Sequence, residues 1–133
     1  MRIDRNNMKF ALALILAAIV LQACASSQIR VGFVGGQSGS QMEYTFTRFD
    51  GLEKKSLPLS QGEVLIVDYI IELEGGSITI QLVNPDQRVV WQETFSEDAA
   101  SEAEILLELD GIYQLSVIGE NARGGFHLAW TTD

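Results

Sequence analysis

From residue 41 to the end of the chain, apolar and polar side chains alternate with period two, segment after segment. Met42, Tyr44 and Phe46 alternate with Glu43, Thr45 and Thr47. Leu65, Val67, Tyr69, Ile71 and Leu73 share one face of the longest apolar stretch, Glu63–Glu74. Its other face mixes Val64, Ile66 and Ile70 with Asp68 and Glu72, so this strand is expected near the centre of a sheet. Ile78, Ile80 and Leu82 come next, then Val89, Trp91 and Phe95. Ile105, Leu107 and Leu109, then Tyr113, Leu115 and Val117, and finally Phe126, Leu128 and Trp130 complete the series. Period two is the signature of a half-buried strand, because successive side chains point to opposite faces of a sheet.

Turn chemistry divides these segments. Asp50-Gly51 is a hairpin dipeptide, and Gln61-Gly62, Gly75-Gly76 and Asp110-Gly111 read as further turns. Asn84-Pro85-Asp86-Gln87 is a turn with a mechanism, since proline fixes φ and Asn and Asp bond to the nearby backbone. Gly119–Gly125 reads as a longer turn, and the acidic, non-periodic Ser96–Glu104 as a loop with one helical turn. Pro58 ends its strand or places it at an edge. About seven or eight short strands so punctuated predict an all-β fold, an antiparallel, jelly-roll-like β-sandwich over residues 41–133.

The N-terminal residues follow a different pattern. Arg2, Arg5 and Lys9 precede an unbroken apolar run from Phe10 to Leu21. A basic start and an apolar core of about 7–15 residues mark a secretory signal, too short for a bilayer span of about 20 residues. A buried core helix would need a helical partner, and no later segment has helical period. Leu21-Gln22-Ala23-Cys24 closes the run and resembles the lipobox of bacterial lipoproteins, with Leu21, Ala23 and Cys24 at the matching positions. The resemblance implies cleavage between Ala23 and Cys24, thioether lipidation of Cys24 and acylation of its new amino group, with palmitate as the expected chain. Stable anchoring takes more than one acyl chain, which such a residue carries. Ala25, where an Asp would resemble an inner-membrane retention signal, implies the outer membrane in a two-membrane envelope and otherwise the outer leaflet of the cell membrane. Residues 1–23 are thus the expected signal peptide and 24–40 the lipidated N-terminus and tether. Within that tether, residues 29–34 alternate as a short edge strand would.

Charge sharpens the picture. The whole chain carries a formal net charge of −9, and removing 1–23 leaves 110 residues with 6 basic and 17 acidic side chains. Such a surface disfavours nucleic acid, whose binding requires Lys and Arg on phosphates. Cys24 is the only cysteine, so the fold must hold without a disulfide.

Phe49-Asp50-Gly51, Tyr69, Asn84-Pro85-Asp86, Trp91, Gly111-x-Tyr113 and Ala122-x-Gly124-Gly125-Phe126 recur in an order that resembles small bacterial lipoproteins built on one sandwich domain. More remotely the chain is similar to GOLD-like domains and to sandwiches appended to secreted peptidases. The resemblance covers nearly all of 41–131 through turn and core positions, and it implies binding rather than catalysis.

Catalytic chemistry finds little to stand on. His127 is the only histidine and is expected on a solvent-facing strand position, with no Gly-x-Ser-x-Gly elbow anywhere. No zinc ligand set exists, and the acids Glu97, Asp98, Glu102 and Glu104 lack calcium-loop spacing, so they read as a solvated loop. Paired carboxylates for a glycosidase exist by number alone, without an insertion to build a cleft. No cofactor is expected. Tyr44, Phe46, Tyr69, Trp91, Tyr113, Phe126 and Trp130 are expected in the core; an exposed Trp91 or Trp130 would instead favour a carbohydrate platform. The chain is therefore expected to be a non-enzymatic, membrane-anchored binding or scaffolding module for an envelope protein or glycan. Its alternative is a carbohydrate- or cell-wall-binding sandwich.

Overall fold

The computed structural model describes residues 28–133, and Ala23 and Cys24, with the rest of the expected signal 1–23 and the first residues of the expected tether, lie outside them. Three long strands dominate: β3 (Gln41–Leu59), β4 (Val64–Val83) and β7 (Gly111–Thr132). Four short ones flank them: β1 (Ile29–Val31), β2 (Val34–Gln37), β5 (Val89–Phe95) and β6 (Ala99–Leu106). All pairings are antiparallel, in the order β1-β3-β7-β4-β5, with β2 added to β3 and β6 to β4.

Each long strand bends once and serves two layers. In the first layer the N-terminal halves of β3 and β4 flank the C-terminal half of β7, with β2 and β6 at the edges. In the second layer the opposite halves pair, with β1 and β5 at the edges. The result is the all-β antiparallel sandwich that period two predicts. Leu65, Val67 and Leu128 of the first layer and Ile80, Leu82 and Leu115 of the second are all fully buried. Tyr69 of the first layer lies 5.1 Å from Phe95 and 6.4 Å from Trp91 of the second, ring centroid to centroid.

The bend corrects three turn expectations. Asp50-Gly51, Gly75-Gly76 and Gly119–Gly125 do not end strands; they lie inside β3, β4 and β7. The register slips there, between Phe46 and Gly51 in β3 and between Leu73 and Ser77 in β4. Bulges of this kind bend a strand and raise its local twist. A carboxylate oxygen of Asp50 accepts the Asn121 backbone N–H, and the other accepts Arg48 Nε at 2.7 Å. Those donors hold the Asp50 carboxyl below its ordinary range, the Asn121 N–H most of all. Gly76 has φ +74°, and a Cβ there would strike the Asn121 carbonyl.

The acidic segment expected as a loop is the strand β6, paired with β4 from Ile71↔Ala99 to Val64↔Leu106. Ala99, Ala103 and Ile105 face inward while Ala100, Glu102 and Glu104 are exposed. Alanine is too small to announce an apolar face, so the period was hidden. Leu109 falls beyond β6. The turns that join strands outright are those at Gln61-Gly62 and Asn84–Gln87, where Asn84 Oδ1 accepts from the backbone of Asp86 and Arg88 at 2.9 and 3.0 Å.

Gln28–Gln37 forms two short strands where alternation suggested one. Between them Phe33 stacks 4.5 Å from Tyr44 and lies 5.1 Å from Phe49, closing one side of the sandwich. The Arg30 guanidinium lies 4.6 Å above the Phe33 ring and reaches Glu53 at 2.6 Å. Glu53, turned inward from β3, also accepts from Gln37 Nε2 at 2.6 Å and from the Tyr44 hydroxyl at 3.2 Å. At the far end Tyr113, fully buried, donates its hydroxyl to the Leu109 carbonyl at 2.8 Å.

Three substitutions test this framework by urea denaturation. Gly76→Ala should cost about 3 kcal/mol or more, combining a strained φ with the collision, whereas Gly62→Ala, at φ +89° in open space, should cost about 1 kcal/mol. Tyr113→Phe should cost about 1–2 kcal/mol, because it leaves the Leu109 carbonyl without its partner.

Candidate functional site

The two layers present outer faces of opposite character. On the first layer, pairing sets Glu43, His127 and Ile70 in one row across β3, β7 and β4. The adjacent rows are Thr45, Gly125 and Glu72, and Ala129, Asp68 and Glu102. Gly125 has no side chain, so the surface sinks between Thr45 and Glu72. A shallow groove of about 180 Å³ forms there, lined by Glu43, Glu72, Ile70 and His127 among others.

His127 is half-buried rather than solvent-facing, and its Nε2 is buried with no hydrogen-bond partner. Glu43 and Ile70 are its cross-strand partners on the two neighbouring strands and line the same groove, an arrangement the sequence pattern alone could not show. Asp68 and Glu102 are direct cross-strand partners. The Glu102 carboxyl is pushed up, first by its hydrogen bond with Asp68 and then by repulsion from that carboxylate. Like charges so paired destabilise a sheet.

Of the remaining acids, Glu104 stays close enough to Glu102 to add to its upward shift, and Asp98 turns away. Asp98 accepts the Leu73 backbone N–H at 2.8 Å, while Glu104 sits exposed on β6. Among the described residues no three of His, Cys, Asp and Glu are grouped to hold a metal ion.

The second layer is different. Its outer rows are Leu52, Ile118, Thr79 and Thr94; Lys54, Ser116, Gln81 and Gln92; and Ser56, Gln114 and Val83. These positions lie on the outer side because their strand neighbours, Ile78, Ile80, Leu82, Tyr113, Leu115 and Val117, face the core; Ser116 is itself covered, and Gln81 and Gln114 are half-buried. Lys54 is the one charge in the three rows. Thr79 and Thr94 share a hydroxyl hydrogen bond of 2.9 Å. At the end of this face lies a pocket of about 420 Å³, lined by Ser56, Val83, Asn84, Pro85, Gln87, Ile112 and Gln114, none of them ionisable.

Sequence reasoning had singled out none of these amides. Gln81 and Gln114 do alternate with core residues, but only the pairing of β3, β7, β4 and β5 brings them onto one face.

The aromatic set is where its spacing predicts. Phe46, Tyr69, Tyr113, Phe126 and Trp130 are buried, and Tyr44 and Trp91 are partly buried against the core. Trp130 is 7% exposed and Trp91 turns toward Tyr69, so the two tryptophans form no exposed platform. Burial raises the Tyr44 and Tyr69 hydroxyls, and Glu53 and Glu93 respectively add to it.

No family model and no curated protein sequence matches this chain. Solved structures do share its fold. A CBM4 carbohydrate-binding module is 10% identical, with a TM-score of 0.50 over 77% of this chain and 78% of that one. TmCBM61 in complex with β-1,4-galactotriose is 10% identical, with a TM-score of 0.49 over 76% and 70%. PliG of Aeromonas hydrophila, a periplasmic inhibitor of g-type lysozyme, is 14% identical, with a TM-score of 0.47 over 75% and 89%. At 10% identity the likeness to the CBM4 module speaks for a shared sandwich and for nothing finer.

The Asp68–Glu102 pair has a measurable consequence. An acid whose folded pKa is raised favours folding below its unfolded value and loses that contribution as pH rises through the folded one. Glu102→Gln should therefore raise the urea midpoint at neutral pH and leave it unchanged near about pH 3, where the Glu102 carboxyl is protonated in both states.

Proposed function

We propose that this chain is a lipid-anchored, non-catalytic module that binds a neutral glycan on the outer face of its second layer. The observation that carries this reading is the segregation of charge. On a chain of net −9, the rows around Gln81, Gln114 and Ser116 hold one cation and no acid, and they end in a pocket with no ionisable side chain. Glutamine offers both a donor pair and an acceptor, and Ser and Thr hydroxyls do either, which matches the mixed valence of sugar hydroxyls. Leu52, Ile118, Ile112 and Val83 supply apolar surface for the C–H faces of a pyranose ring. Anionic polymers are disfavoured by the field of the acidic protein. The shared fold with a CBM4 module supports the reading by analogy. The buried tryptophans mean that hydrogen bonding, rather than aromatic stacking, would have to dominate.

Anchoring rests on the lipobox-like Leu21-Gln22-Ala23-Cys24. Intact mass and membrane fractionation of the wild type beside Cys24→Ala test it directly. Acyl mass on the wild type with release of the variant is the expected result, and an unmodified thiol on a diffusible protein would remove the anchor.

Glycan binding is tested by affinity electrophoresis against neutral and acidic polysaccharides. Gln81→Ala and Gln114→Ala should each weaken binding to a neutral polymer by about three- to tenfold, the worth of one or two net hydrogen bonds. Glu72→Gln, on the opposite layer, should leave it unchanged. Retention that depends on Glu72 but not on Gln81 or Gln114 would move the site to the acidic groove and point to a basic partner instead.

A further inference from the structure

We infer that the β1–β2 edge, through Ile29, Val31 and Val34, lies against the zwitterionic phospholipid surface that carries the Cys24 anchor; this rests on the lipid-anchor reading above. Ile29, Val31 and Val34 are 40%, 49% and 67% exposed, an apolar trio on the two strands that follow the lipobox most closely. Ile29 pairs with Asp50 and Val31 with Arg48, which places both at the bend where the two layers meet. Val34 pairs with Thr45 on the other side of the same bend.

Tether length decides which surface can reach the lipid. Four peptide units separate Cys24 from Gln28, a span of at most about 14 Å even when fully extended. Val89, Val90, Leu106 and Ile112 are comparably exposed, but they lie toward the opposite end of the sandwich, about seven to ten strand residues or roughly 23–33 Å from the bend, and Ile70 faces out from the middle of the first layer, beside His127. Only the bend end is within reach. Its charges are mixed, with Arg48 and Arg123 beside Glu74 and Glu120, which suits a headgroup bearing both phosphate and ammonium rather than an anionic lipid. The acyl chains hold the protein; the apolar trio orients it. In this pose the uncharged pocket beside Asn84 and Ile112, at the far end of the second layer, faces away from the membrane.

The test uses the mature lipidated protein in phosphatidylcholine vesicles containing brominated acyl chains. An environment-sensitive fluorophore is attached through Val31→Cys or, separately, Val34→Cys, with Val90→Cys as the distal control; the acylated Cys24 offers no competing thiol. Flotation of the unlabelled wild type with the vesicles is scored first. The expected result is flotation, a blue shift and bromine quenching at positions 31 and 34, and neither effect at 90. Flotation with unshifted, unquenched labels at 31 and 34 overturns the membrane-facing edge while leaving the anchor intact. Absence of flotation overturns the anchor and the edge together.

Discussion

Everything in this domain depends on a bend made three times at the same level. β3, β4 and β7 are each three to four times the usual strand length of about 5–6 residues, and a flat sheet of that size would leave its apolar face open. Folding the sheet over at Asp50-Gly51, Gly75-Gly76 and Gly119–Gly125 lets one half cover the other. The backbones must come close for this to happen, which is why glycine stands where Gly76 approaches Asn121 and where Gly124 approaches Glu72. The Asp50 carboxylate, bonded to the Asn121 N–H of the neighbouring strand, ties two of the three bends together. Because stability from Asp50 is present above its unfolded pKa and lost as pH falls through the depressed folded one, the bend is an acid-sensitive element.

The same bends determine what the surface shows. A register shift changes which side chains face out, so each half-strand presents its own alternation to solvent. The first layer exposes Glu43, Asp68, Glu72 and Glu102; the second exposes Gln81, Gln92, Gln114 and Thr94. One short chain thus presents two chemically distinct faces, one acidic and one of amides and hydroxyls. Glu53 has a third task, gathering Arg30, Gln37 and Tyr44 at the sandwich side that Phe33 covers. Residues Ile29–Gln37 are thereby part of the fold, paired along β3 rather than loose beside it.

Particular residues show how far the chain could be read in one dimension. Leu65 to Leu73 and Tyr113 to Val117 announced their strands because large apolar groups at period two leave little ambiguity. Ala99, Ala103 and their acidic neighbours concealed β6, since small side chains carry weak periodicity and the strand is recruited by pairing with β4. Asp50-Gly51 and Gly75-Gly76 misled for a related reason: a bulge that bends a strand and a turn that ends one call for the same residues. Phe33 was invisible as a core residue because its partners, Tyr44, Phe46 and Phe49, lie on a different strand. The buried Nε2 of His127 likewise depends on Glu43 and Ile70 from two other strands.

Local patterns thus determined the all-β class, the burial of the aromatic set, the Asn84 turn and the expectation of an anchored, acidic binding module, because each rests on a few neighbouring residues. Tertiary structure alone decided that three strands would be shared between layers, that amides would collect on one face and acids on the other, and that Ile29–Gln37 would pair with β3. Those features arise from cross-strand register, which relates residues tens of positions apart and leaves no trace in the order of neighbours along the chain.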